Sequence, residues 1–129
     1  MIVAKSLNKV HNLVTDKDMT YSYAETKTGS TWVDGKPIYR RVFKVTNKAL
    51  SNGAVVQSFA RSSFNEITRI YAYLCGSNGG HIPFTRVGSG GKGSNIEYSS
   101  ANNGFIFIGN DTWSAQSSRW LMIIAEYTK

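Results

Sequence analysis

The chain is short of several residue types from which sites are usually built. It holds one cysteine in 129 residues. That excludes an intrachain disulfide. Cys75, in the apolar run Tyr71-Ala72-Tyr73-Leu74-Cys75, reads as a small buried hydrophobe rather than a nucleophile. The two histidines, His11 and His81, are far apart and lack ligand spacing, so no metal is expected. Acidic residues number eight: Asp16, Asp18, Glu25, Asp34, Glu66, Glu97, Asp111 and Glu126. Glycoside hydrolysis needs two carboxylates facing each other across a cleft, and spacing selects no such pair. There is no Gly-x-Ser-x-Gly elbow either. No cofactor is expected, and the chain does not read as an enzyme.

Long hydrophobic runs are missing too. No stretch reaches transmembrane length, so no membrane insertion is expected. The start, Met1-Ile2-Val3-Ala4-Lys5, turns polar at once and lacks the apolar region of a signal peptide, which predicts synthesis in the cytoplasm without export by a recognisable route. The formal net charge is +7. The basic residues are scattered from Lys5 to Lys129, and strand alternation would split Arg40-Arg41 between two faces. Without a Lys/Arg run, charge alone is thin support for a nucleic-acid partner, and none is expected. Gly88-Ser89-Gly90-Gly91-Lys92-Gly93-Ser94 looks like a phosphate loop but fails its spacing, because Lys92 is followed by Gly93 and no helical pattern comes after. A flexible surface loop is the expectation.

What the chain has is alternation. Three Trp, seven Tyr and six Phe sit largely in short alternating runs. Thr31-Trp32-Val33 leads into Asp34-Gly35, a turn pair in which glycine tolerates positive φ and aspartate bonds its own backbone. From Ile38 to Val45 a strand follows, with Ile38, Arg40 and Val42 on one face and Tyr39, Arg41 and Phe43 on the other. Further strands are expected at Tyr21–Glu25, Ala54–Phe59, Ile67–Leu74, His81–Val87, Asn95–Ser99, Phe105–Ile108 and Trp120–Tyr127. Asn52-Gly53 and Ser77-Asn78-Gly79-Gly80 supply turns. About nine short, evenly spaced strands predict an all-β domain, an antiparallel β-sandwich or jelly roll, over residues 20–129. Phe105–Ile108 and Leu121–Ile124 are apolar on both faces and need cover on two sides.

Residues 1–19 differ. Val3, Leu7, Val10 and Val14 recur at helical spacing over about two heptads. Two readings stand: a short oligomerising helix, or a helical or extended arm docked on its own domain. The polar loop from Gly109 to Arg119 and the turn from Ser99 to Gly104 suggest a ligand surface. Asn102, Asn103, Asp111 and Arg119 would bond sugar hydroxyls and Trp113 would stack on a pyranose ring. The alternative is a pair of ordinary hydrophilic hairpin loops with Trp113 folded back on the sheet.

The block Gly29-x-Thr31-Trp32-x-Asp34-Gly35-Lys36-Pro37-Ile38-Tyr39-Arg40, preceded by Tyr21-Ser22-x-x-Glu25, resembles a pattern in small virion proteins and domains of bacteriophages and prophages. These are tail-fibre, head-fibre, baseplate or host-specificity components. The Ile82-Pro83-Phe84 step and the closing Glu126-Tyr127-Thr128-Lys129 fit the same pattern, so the resemblance covers residues 21–129. It implies a β-sandwich on the virion exterior, often a homotrimer, in contact with other virion proteins and without enzymatic activity. It implies no named receptor. The chain departs from the pattern in the extra glycines of Gly88–Gly93 and in having no long fibre shaft. A virion protein that touches a host-surface glycan is thus one expectation, and a monomeric carbohydrate-binding module is the other. A small nucleic-acid-binding barrel is the third class considered.

Overall fold

Period-two alternation of large apolar and polar side chains lets one face of a strand enter a core while the other meets solvent. That pattern governs the computed structural model, which describes residues 20–84, 86–87, 93–110, 113–115 and 118–129. The described residues form eleven strands and one 3-10 turn, Arg61–Ser63. The strands are β1 (Thr26–Thr31), β2 (Pro37–Val45), β3 (Lys48–Leu50), β4 (Val55–Ser58), β5 (Glu66–Gly76), β6 (His81–Pro83), β7 (Arg86–Val87), β8 (Gly93–Ser99), β9 (Gly104–Gly109), β10 (Trp113–Ala115) and β11 (Arg119–Thr128).

They pair antiparallel into a five-stranded sheet, β1-β2-β11-β5-β6, a four-stranded sheet, β4-β9-β8-β7, and a small β10-β3 pair. The fold is all-β and sandwich-like. Its core lies between the two larger sheets. One side is lined by Phe43, Val45, Ala72, Leu74, Leu121, Ile123, Ala125 and Tyr127, and the other by Val56, Ile96, Phe105 and Phe107. An aromatic cluster fills one end. Phe59 stacks near-parallel on Phe105 at 5.8 Å and on Phe64 at 5.1 Å, and Tyr98 meets Phe64 edge-on at 4.9 Å. The Tyr98 hydroxyl donates to the Phe59 carbonyl at 2.6 Å, so this ring keeps a polar partner while packing apolar neighbours.

The Trp32–Lys36 segment is the β1–β2 hairpin turn. Trp32 N–H donates to Lys36 O, Gly35 N–H to Trp32 O, and Lys36 N–H to Asp34 Oδ1. Gly35 holds φ +83°, a conformation that strains any residue bearing a Cβ. The expected faces of β2 hold: Phe43 enters the core, while Arg40 and Val42 share the face turned away from it.

Several expected elements differ. Tyr21–Glu25 is not a strand, and only Thr31 of Thr31–Val33 is one; β1 is instead Thr26–Thr31. This polar sequence holds an edge position through backbone pairing, and Thr28 Oγ1 donates to the Ile38 carbonyl at 2.8 Å. His81–Val87 is not one strand but two. Pro83 pairs with Tyr73, Phe84 N–H still donates to the Ala72 carbonyl of β5 at 3.0 Å, and the next described strand, Arg86–Val87, belongs to the other sheet. Phe84 is fully buried, edge-on to Phe107 at 5.6 Å. The short β3 and β10 are additional to the expected set. The expected helical or extended segment 1–19 and the glycine-rich stretch 88–92 lie outside the described residues.

Candidate functional site

The outer face of the five-stranded sheet carries the unusual surface. Alternation along β5 sends Arg69, Tyr71, Tyr73 and Cys75 outward, opposite Glu126, Ile124, Met122 and Trp120 of β11. Beyond β11 come Arg40, Val42 and Lys44 of β2, and beyond β5 comes His81 of β6. Lys44 Nζ sits 4.9 Å from the Trp120 ring centre, Tyr71 and Tyr73 are tilted together at 5.6 Å, and Tyr73 meets His81 edge-on at 5.4 Å. Residues 20–25 run beside β2: Val42 N–H donates to Ser22 O, and the Tyr21 ring lies 4.5 Å from the Arg40 guanidinium carbon. Tyr71 is 45% exposed and Tyr21 61%. Monomer surfaces seldom cluster aromatics this way without a use for them.

At one end of this face a small cavity of about 200 Å³ is lined by Tyr21, Arg40, Arg69, Tyr71, Ile124 and Glu126. Its charges are ordered. Arg40 Nε and Nη2 both donate to Glu126 Oε2, at 3.2 and 2.9 Å, with both side chains 15% exposed. Arg69 Nη1 stands 3.9 Å from the other oxygen, Oε1, and its side chain is 71% exposed. The result is one firmly clamped carboxylate oxygen, one loosely engaged oxygen, a well-exposed guanidinium and a half-exposed phenol ring around an Ile124 floor.

Two wider depressions lie elsewhere. One, about 580 Å³, follows the β5–β6 hairpin past Cys75, Asn78, His81 and Arg119. Burial pushes the Cys75 thiol above its ordinary value, against the opposing pull of Lys44 and a Trp120 hydrogen bond. A thiol so raised is a poor nucleophile. The other, about 650 Å³, lies among Glu25, Arg41, Phe59, Ser63, Phe64 and Lys129. There the Tyr127 hydroxyl donates to Glu25 Oε1 and Lys129 Nζ to Oε2, each at 2.6 Å. Burial raises the Glu25 carboxyl, but these two hydrogen bonds together with the charges of Lys129 and Arg41 outweigh it and hold the group below its ordinary value. Burial, reinforced by Glu25, pushes the Tyr127 phenol far up. Among the described residues no three His, Cys, Asp or Glu side chains group as metal ligands, and no helix is long and apolar enough to cross a membrane.

Of the five residues expected to bind a ligand, Asn102 and Asn103 stand far from Arg119. Asn102 and Asn103 form the β8–β9 turn. Asn103 takes φ 48°, accepts from Arg61 N–H through Oδ1 at 3.0 Å and from Phe59 N–H through its carbonyl at 2.9 Å. Asn102 Nδ2 donates to Ser99 Oγ at 3.0 Å. Both therefore have bonding roles within the fold. That turn lies at the Thr128 end of β11, with Phe59, Phe64 and Tyr98 between. Arg119 opens β11 opposite Gly76, at the other end. At about 3.3 Å per residue the ten-residue strand sets them roughly 30 Å apart. Asp111 lies outside the described residues. The Trp113 backbone pairs with Leu50 in β10, and its side chain is outside what is described. The outward row Arg69-x-Tyr71-x-Tyr73 is visible as alternation in the sequence, but its meeting with Glu126, Arg40 and Tyr21 depends on cross-strand register.

Compared with protein-family models, curated proteins and solved structures, the chain matches none of them.

Proposed function

We propose that this chain is a non-enzymatic structural component of a bacteriophage particle, exposed on the virion and touching the host surface through the outer face of its five-stranded sheet. The exposed aromatic row centred on Tyr71, with its ordered Arg40–Glu126–Arg69 charges, carries the reading. Support comes also from the resemblance of the Trp32–Arg40 block to virion proteins, and from a sandwich in which that block is a register-setting hairpin. Assembly as a homotrimer with other virion proteins belongs to the same proposal. Ile106 and Ile108, half-buried on the outer face of the four-stranded sheet and so away from the Tyr71 face, are apolar surface that a neighbouring subunit would cover.

Two measurements test it. Labelled protein should bind a susceptible bacterial strain from a panel, and Tyr71→Ala should lose most of that binding; undiminished binding removes the face. Sedimentation equilibrium at micromolar concentration should give a trimer. A strict monomer removes the oligomer and favours the second reading, a monomeric carbohydrate-binding module, for which the same aromatic face would serve.

A further inference from the structure

The geometry points to a ligand for the Tyr71 cavity: one sugar ring bearing a carboxylate, a uronate-type residue of an acidic polysaccharide. This deepens the attachment reading and rests on it. A volume of about 200 Å³ suits a single ring and falls below the roughly 300–1,000 Å³ usual for larger ligands. The half-exposed Tyr71 ring and the Ile124 side chain offer an apolar platform for the C–H face of a pyranose. Glu126 supplies a directional acceptor. Arg40 fixes Oε2 with two bonds and thereby orients the group, leaving Oε1 to accept from ring hydroxyls.

The anionic preference comes from Arg69. Its guanidinium is well exposed and stands at 3.9 Å from Glu126, beyond hydrogen-bond distance, so its solvent-facing N–H groups can take a second carboxylate in the fork geometry arginine favours. The lining residues then carry two guanidinium charges against one carboxylate, and the chain as a whole is positive at +7. An acidic glycan is drawn to such a surface at long range. A nucleic-acid strand fits less well, because the Glu126 carboxylate interrupts the site between Arg40 and Arg69 and would repel a phosphate there.

The test is calorimetric titration of the full chain with a trigalacturonate and with its carboxyl-reduced trisaccharide. The expected result is saturable binding of the acid form, at least about tenfold tighter than the reduced form and weakening with salt. Arg69→Gln should bring the acid form down to the affinity of the reduced one. Tyr71→Ala should abolish both while keeping the wild-type circular-dichroism spectrum and a cooperative unfolding transition, and Tyr71→Phe, which keeps the ring, should retain binding. Equal affinity for the two sugars overturns the proposal, as does binding undiminished in Tyr71→Ala, or tighter binding of an oligonucleotide at the same residues. If Tyr71→Ala loses attachment to bacteria but trigalacturonate neither binds nor competes, the ligand chemistry fails and the attachment reading survives. If attachment never depended on Tyr71, the attachment reading fails first.

Discussion

The Arg40–Glu126 pair joins β2 to β11 and orients the carboxylate of the candidate site, so the site is only as firm as this pair. At the surface such a pair is worth about 0.2–1 kcal/mol, because water screens it and two long side chains lose freedom. When a partner is removed from a fully buried pair, the loss is about 3–5 kcal/mol. Here both side chains are 15% exposed, and two donors reach one oxygen at 3.2 and 2.9 Å. Hydrogen bonds to charged groups contribute roughly 1.5–3 kcal/mol net, and here two donors share one acceptor oxygen, so the two do not add in full. A coupling of about 1–2 kcal/mol is the consistent expectation, between the exposed and buried limits. It is measured by urea unfolding of the wild type, Arg40→Met, Glu126→Gln and the double variant, as a double-mutant cycle. The coupling should persist in 1 M salt, where the screening length is about 3 Å, because little solvent enters between the groups. The companion cycle with Arg69→Gln should give less than about 0.5 kcal/mol, as its guanidinium is largely in water. A coupling for Arg40–Glu126 below about 0.3 kcal/mol, or one erased by salt, would show that the pair is not a clamp at all.

Acid should destabilise the protein partly through Glu25. Its folded pKa lies below its ordinary value, so it stabilises the fold above the unfolded pKa near 4.5, and that contribution is lost as pH falls through the folded value. Glu25→Gln should flatten the stability profile in that window; an unchanged acid limb would refute this. Phe105→Ala, at a fully buried ring touching Phe43, Phe59 and Tyr98, should cost about 3–5 kcal/mol in chemical unfolding, a large share of the roughly 5–15 kcal/mol a domain possesses. A loss under about 1 kcal/mol would mean the cluster is not the core. Gly104→Ala would set a Cβ 2.5 Å from the Gln57 carbonyl oxygen, so β4 must shift from β9; a drop of about 1–3 kcal/mol is expected, and wild-type stability would show that the edge yields freely.

Strands whose side chains alternate strongly are legible in the amino-acid sequence alone. Ile38–Val45, Ile67–Leu74, Phe105–Ile108 and Trp120–Tyr127 appear within a few residues as β2, β5, β9 and β11. Alternation reports the local choice between core and solvent, and these strands span the middle of the sheets, where that choice is sharp. β1 escapes because an edge strand needs little apolar matter: Thr26–Thr31 is held by its backbone ladder and by Thr28. β3 and β10 are three residues each, too short for a period to show. The separation of Asn102 from Arg119 is hidden for a different reason. Loop composition marks Asn102 and Arg119 as polar and exposed, but nothing local states that β11 separates them. The pairing of Glu126 with Arg40, 86 residues away, is likewise a property of register and not of neighbourhood. The doubly apolar strands do have the inner cover their composition demands, since Leu121, Ile123, Phe105 and Phe107 are fully buried.

The position of β11 carries a kinetic consequence. It alone joins the β1–β2 hairpin to the β5–β6 hairpin within the five-stranded sheet. Each hairpin forms from local contacts and closes a short loop, on a microsecond timescale. Neither can enter the sheet until a strand from far along the chain inserts between them, so the loop-closure entropy is met late and all at once. Until that moment the folding chain presents two unpaired inner edges, one on β2 and one on β5, each lined by Tyr and Ile. Folding should therefore be slow, in the millisecond-to-second range typical of sandwiches, and most prone to self-association in the interval before β11 docks.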